Sequence, residues 1–202
     1  MRNHSAAILL IFLGLFMVVS CAGKSKNARF YMLSSMKAAS VANKDTQAQP
    51  ADLALGIGPV TIADYLNRQG VVTRDSQNQL KVSEFEQWAG SFKNNIIHAL
   101  ADNLGVLLGT DRIHIHPWRK YVPIDYQVTV NVIRFDGKPG QEAWLTSRWS
   151  LINGQTKEIL TVKRSSIQTP VEDNSYEALV AAQSLALAKM SREVADAIKA
   201  TQ

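Results

Sequence analysis

Three sets of residues in this 202-residue chain have types and spacings that chemistry could use: a lone thiol, Cys21; a histidine pair two apart, His114 and His116; and a glycine pair, Gly56 and Gly58. On a strand, residues two apart share a face, so the histidine pair could supply two ligands to a metal. A third ligand would be needed, and the only other histidine beyond the leader is His98. The competing reading puts both histidines on a solvated face opposite Ile113 and Ile115. The glycine pair lacks the third glycine and the following helix that a phosphate cradle requires. No G-x-S-x-G, H-E-x-x-H or P-loop pattern occurs, and no pair of acidic residues has a spacing that implies acid–base work. The residues therefore imply no catalytic site, no metal and no cofactor.

The thiol remains. Arg2 charges the N-terminus, and an uncharged apolar run follows from Ala6 to Val19. That run is shorter than the roughly 20 residues a spanning helix needs, and it has the length and flanks of a secretory signal core. Val18-Val19-Ser20-Cys21 ends it, with a branched apolar residue three before the cysteine and a small one just before it. This resembles the bacterial lipobox, in which the thiol is alkylated by a diacylglyceryl group and the chain is cut before the cysteine. A buried thiol and an uncleaved signal anchor are the alternatives. The lipobox reading expects a signal peptide over 1–20, a lipidated tether over 21–28 and a single domain over 29–202. Three acyl chains at about 0.8 kcal/mol per methylene give permanent attachment. Ala22 is not the aspartate that retains enterobacterial lipoproteins in the inner membrane, so the expected site is the outer membrane, facing the periplasm. That compartment permits disulfides, but a chain whose only sulfur carries lipid must stand on packing.

Lysine and arginine number 22 against 17 acidic residues, a formal net charge of +5. The charges are interspersed, with no basic run and no zinc-finger or helix-turn-helix pattern, so no nucleic-acid partner is expected.

The elements that position these residues are legible from periodicity. Residues 29–33 (RFYML) have strand composition. Residues 34–52 are small, polar and aperiodic and are expected to be a flexible loop. Residues 53–60 read as a strand closed by Pro59, and 70–82 as two short strands around a turn at Asp75–Asn78. Ser83 and Glu86 match a capping box. Phe85, Trp88, Ala89, Phe92, Ile96, Leu100, Leu104 and Leu107 follow at helical spacing up to Gly109, so a helix is expected from Ser83. Residues 112–116, 124–137, 143–152 and 157–169 alternate as strands, with Asn153-Gly154 read as a two-residue hairpin turn. Residues 175–199 carry a second apolar helical stripe. The fold class is a layered α/β domain: a mixed or largely antiparallel sheet with two long amphipathic helices packed on it. Trp144 and Trp149 have opposite parity on one strand, so one belongs to the core and the other under a helix or at a partner surface. Trp118, following Pro117, reads as a lid on the core or an interaction residue.

One block has interface composition. Ile62, Tyr65 and Leu66 lie next to Arg68 and Arg74, an association of apolar, aromatic and arginine residues found at interface centres. The alternative is a loop whose apolar residues tuck onto the sheet.

Several segments together resemble one family: RFYML soon after Cys21, LGIGPVTIADYLNRQGVVTR at 55–74, SEFEQWAGSFKNNIIHALADNLGVLLGT at 83–110, then HPWRKYVPIDYQVTVNVIRFDG and AWLTSRWSLI. The chain resembles the auxiliary lipoproteins of ABC-type, MCE-associated transport systems over nearly all of its length after the leader. The resemblance implies an outer-membrane lipoprotein without enzymatic activity. It would be the docking or assembly component of a system that moves lipid between membranes and preserves envelope integrity. Its implied partners are the membrane, through the N-terminal lipid anchor, an MCE-domain protein that bridges the periplasm, and further copies of itself, a ring being one closed form. The one functional position carried over is the acylated cysteine, matched by Cys21. The alternative is a stand-alone periplasmic lipoprotein that binds a lipid or small molecule.

Overall fold

A computed structural model describes residues 27–36 and 52–201. The expected signal peptide, Cys21 and most of the expected loop at 34–52 lie outside the described residues. The elements in chain order are β1 (Arg29–Tyr31), β2 (Leu55–Ile62), a single 3-10 turn (Asp64–Leu66), β3 (Gly70–Ser76), β4 (Gln79–Trp88), α1 (Phe92–Leu108), β5 (Ile113–Ile115), β6 (Tyr126–Gly137), β7 (Glu142–Asn153), β8 (Ile159–Pro170) and α2 (Tyr176–Lys199).

Among the described residues the strands form two sheets. The larger runs β5-β2-β6-β7-β8, parallel across β5, β2 and β6 and antiparallel from β6 to β8. The mixed sheet follows from the connections. The two parallel partners of β2 are reached through α1 or a long loop, whereas β6, β7 and β8 succeed one another through short turns. The smaller sheet, β1-β4-β3, is a hairpin with β1 added in parallel.

Both helices cover one face of the large sheet. Val128, Val130 and Val132 of β6 and Ala143, Leu145, Trp149 and Leu151 of β7 point into that layer and are buried. They meet Ile96, Leu100 and Leu104 of α1 and Leu187, Met190, Val194 and Ile198 of α2. The helices are tied together by one buried polar contact, Asn103 Nδ2 donating to Ser191 Oγ at 3.1 Å. Ser175 caps α2 by accepting from the Ala178 N–H at 3.0 Å. Of the two tryptophans of β7, Trp149 is the one in the core, at 1 % exposure. Trp144, of opposite parity, lies on the other face beneath the Arg134 guanidinium, 4.7 Å from the ring centre.

Four expectations change. The helix does not start at Ser83: residues 79–88 are β4, and α1 begins at Phe92 after Ser91. Ser83 Oγ does accept from the Glu86 N–H at 3.0 Å, half of a capping box. Here the contact sits in an irregular stretch of strand, where β4 uses the residues between Val82 and Gln87 against only Gly70 to Val72 on β3. The Glu86 carboxylate meets Tyr31 and Arg29 instead of a helix end. Pro59 does not close β2; the strand continues to Ile62, with a register shift between Ile57 and Val60 where a proline is tolerated. Asn153-Gly154 is not a two-residue turn. The connection runs to Glu158, whose carbonyl accepts from Asn153 N–H, and Lys157 takes the positive φ of 64°. Gly154 is required for space, since a Cβ there would meet the Ile124 carbonyl oxygen at 1.9 Å. Lastly, the first residues of the expected loop are held: Ser34 N–H donates to Ser184 Oγ at 3.0 Å and Met36 N–H to Asn103 Oδ1 at 2.7 Å.

Candidate docking surface

The sequence-selected block Thr61–Arg74 joins the end of β2 to the small sheet. A register shift in β6 between Val132 and Arg134 sets what it meets. Before the shift Val132 faces the helices; after it Phe135 does, which turns Arg134 and Asp136 to the opposite face. Phe135 closes an aromatic chain through Phe92 (5.4 Å between ring centres) to Trp88 of β4 (4.2 Å from Phe92, stacked). The small sheet, α1 and the large sheet are thereby packed on one another.

Asp136 has no exposed surface. Three side chains reach it. Tyr65 Oη donates to Oδ2 at 2.9 Å, Arg74 donates from Nη2 to Oδ2 at 2.8 Å and from Nε to Oδ1 at 3.1 Å, and Arg134 Nε donates to Oδ1 at 2.8 Å. Burial alone would raise the Asp136 pKa, but the combined hydrogen bonds of Arg74, Arg134 and Tyr65 outweigh it and hold the carboxyl below its ordinary range. Burial, and then the Asp136 charge, push the Tyr65 phenol up to about 12. A buried charge is tolerated only when paired and hydrogen-bonded, and here Tyr65 comes from the 3-10 turn, Arg74 from β3 and Arg134 from β6 itself.

The five selected residues are therefore placed unequally. Leu66 is 1 % exposed and belongs to the core. Ile62 and Tyr65 are partly buried and pack against that core. Tyr65 and Arg74 are engaged with Asp136, and Arg74 Nη1 also donates to the Gln77 carbonyl at 3.0 Å. Arg68 is exposed. The block is a clamp between two sheets whose outer edge, at Arg68 and the accessible sides of Ile62 and Tyr65, faces solvent. Sequence reasoning missed Asp136. The available signal was Arg134-Phe135-Asp136 at the end of an alternating strand, which puts two opposite charges on one face and a large apolar group on the other.

The other candidates resolve simply. His114 and His116 lie beside Gly56 and Gly58. His114 pairs with Gly56 across the strands, and a Cβ at Gly58 would touch the His116 Cβ at 2.8 Å. Trp118 lies over Gly56, where a Cβ would meet its ring at 2.8 Å, and is T-shaped to His116 at 5.5 Å between ring centres; it covers the sheet face opposite the helices and so is not a lid on the core. The glycine pair thus admits a neighbouring strand and an indole. Among the described residues no three His, Cys, Asp or Glu side chains converge as a metal site would need, and no helix is long and apolar enough to cross a membrane.

The fold is shared with solved structures. A crystal structure of an uncharacterized protein superposes with a TM-score of 0.69 at 18% identity, over 86% of this chain and 99% of that one. That of protein XCC0632 from Xanthomonas campestris superposes with 0.63 at 15% identity, over 83% of this chain and 92% of that one. No curated protein matches the sequence. The sequence profile of the ABC-type transport auxiliary lipoprotein component matches residues 31–195, from β1 almost to the end of α2, and the chain belongs to that family.

Proposed function

We propose that this protein is a non-enzymatic docking component of an MCE-type system that moves lipid between the membranes of the envelope and maintains their integrity. It is held at the periplasmic face of the outer membrane by acyl chains on Cys21. The observation that carries the reading is the family match over residues 31–195, joined to a lipobox ending at Cys21. The domain starts close behind the anchor: β1 begins at Arg29, eight residues after Cys21, and an extended chain of that length reaches about 28 Å at most. A body so tethered can meet only what comes to the membrane surface, which suits a receptor for a protein that bridges the periplasm. Self-association, a ring being one closed form, would use the solvent edge of the clamp at Ile62, Tyr65 and Arg68.

Co-purification tests the reading. The full chain extracted in mild detergent is expected to bring down a periplasm-bridging MCE-domain protein. Recovery of the protein with a bound lipid and no protein partner would support the stand-alone lipid-binding alternative instead.

A further inference from the structure

The outer face of the large sheet, opposite the helices, is covered at both ends and open in the middle. Trp118 covers it at Gly56, and Tyr65 and Arg74 cover it at Asp136. Between these covers the strand register sets Thr61, Asn131, Arg148 and Arg164 side by side across β2, β6, β7 and β8. All four are exposed. Thr61 Oγ1 donates to Asn131 Oδ1 at 3.1 Å, continuing the row. Arg148 and Arg164 stand directly opposite each other, and neither has a carboxylate partner among the described residues. The next row on the same face is Thr129, Ser150 and Val162, with no acid in it. Like charges directly opposite destabilise a strand pair, so this pair opposes the sheet's own stability.

Beyond Arg164 the sheet ends. β8 is its edge among the described residues, and it carries Ile159 at 60% exposure and Val162 at 56%. A long edge with apolar side chains invites a further strand. A second β8 would bring its own Lys163 and Arg164 to the junction, so the charge that repels an identical strand selects an acidic one.

We propose that the β8 edge and the Arg148–Arg164 pair form a docking site for an extended acidic segment of a partner protein. The segment would join the sheet as an additional strand, with a carboxylate beside Arg164 and an apolar side chain beside Val162. The inference deepens the docking role proposed above and rests on it for the partner's place in the envelope.

The test uses the full chain in non-ionic detergent and a fluorescein-labelled peptide of Glu-Thr-Val-Thr repeats, which sets Glu and Val by turns along one face of a strand, with a counterpart carrying Lys in place of Glu. The acidic peptide should bind, weaken as salt rises and protect β8 amides from hydrogen exchange, while the basic peptide does not bind. Arg148→Glu with Arg164→Glu should lower affinity about tenfold or more, the effect of losing roughly one charge-assisted contact. Arg148→Gln, which relieves the like-charge contact, should raise the melting midpoint while weakening the peptide, a separation that a merely structural arginine would not produce. Equal binding by the double variant, or binding without protection of β8, would overturn the proposal. So would a wild-type chain that ignores the peptide yet binds anionic phospholipid vesicles through these arginines. If wild type and the double variant recover the same MCE-domain partner equally, the site falls and the docking role stands. If the peptide binds as expected but no partner is recovered, the role falls and the site stands.

Discussion

Arg74 Nη2 lies 2.8 Å from Asp136 Oδ2, joining the edge of the small sheet to the large one through a carboxylate that has no exposed surface. Arg134 completes the pair from the same strand as Asp136, and Tyr65 from the turn between the sheets. Removing one partner from such a set leaves the others desolvated and unpaired. Asp136→Ala should destabilise the fold by about 3 kcal/mol, the lower end for a buried pair, because the arginine side chains keep 21% and 30% of their surface in water. Chemical denaturation of the variant checks this, and an unchanged midpoint would show that the clamp does not hold the sheets.

The same group makes stability depend on pH, with a definite sign. Asp136 is held below its ordinary pKa when folded. Its contribution is therefore complete above the unfolded value of about 3.9 and is lost as pH falls through the lower folded value. Tyr65, raised to about 12, behaves in the opposite sense. Its contribution is complete below the unfolded value of about 10 and fades as pH rises towards 12. Melting curves of wild type and Asp136→Asn should converge on the acid side; curves of wild type and Tyr65→Phe should converge on the alkaline side. Differences that stay constant with pH would contradict the assignment.

The anchor makes a separate prediction. Cys21→Ser lacks the nucleophilic thiol that lipid transfer needs, so the protein should leave the membrane fraction or persist as an uncleaved precursor. Fractionation with mass analysis of the N-terminal peptide reads this. Mature protein that still sediments with outer membrane and carries no acyl mass on residue 21 would remove the lipoprotein reading.

In the helical layer, Leu100 and Leu104 have no exposed surface. Each change to alanine should cost about 2–5 kcal/mol, the range for a buried leucine. Ser175→Ala should cost only about 1 kcal/mol, through loss of the cap on α2. Gly154→Ala should cost about 1–3 kcal/mol, because the added methyl has no room against the Ile124 carbonyl. Thermal melts rank these four, and a glycine change milder than the cap change would show that the connection after β7 yields freely.

How far the sequence could be read depended on whether local pattern and long-range contact agree. They agree in α2, where Ser175 caps a stripe that is buried as its spacing implies, and in β6, where Val128, Val130 and Val132 alternate inward. They disagree at Ser83–Trp88. The capping pattern and the apolar spacing favour helix there, but Glu86 finds Arg29 and Tyr31 on β1, contacts more than fifty residues away in sequence. A segment that supplies the middle strand of a sheet cannot also be a helix, and no local pattern records its partners. The interface block was recognised by composition. That composition also describes a clamp, and Asp136, the residue that makes it one, lies on a distant strand beyond a register shift that alternation alone cannot locate. Arg148 and Arg164 were likewise visible as residues but not as a pair, because their opposition depends on the register of β7 against β8.

The central claim, a lipoprotein that docks a periplasm-bridging partner, is tested most directly by crosslinking in intact cells. A photo-reactive amino acid at Arg68, with a second at the helix-buried position Leu187 as control, should capture an MCE-domain protein or another copy of this chain from the first site and nothing from the second. If neither position yields a protein partner while the protein remains folded and membrane-bound, and a third probe at Arg164 is equally silent, the docking account is wrong.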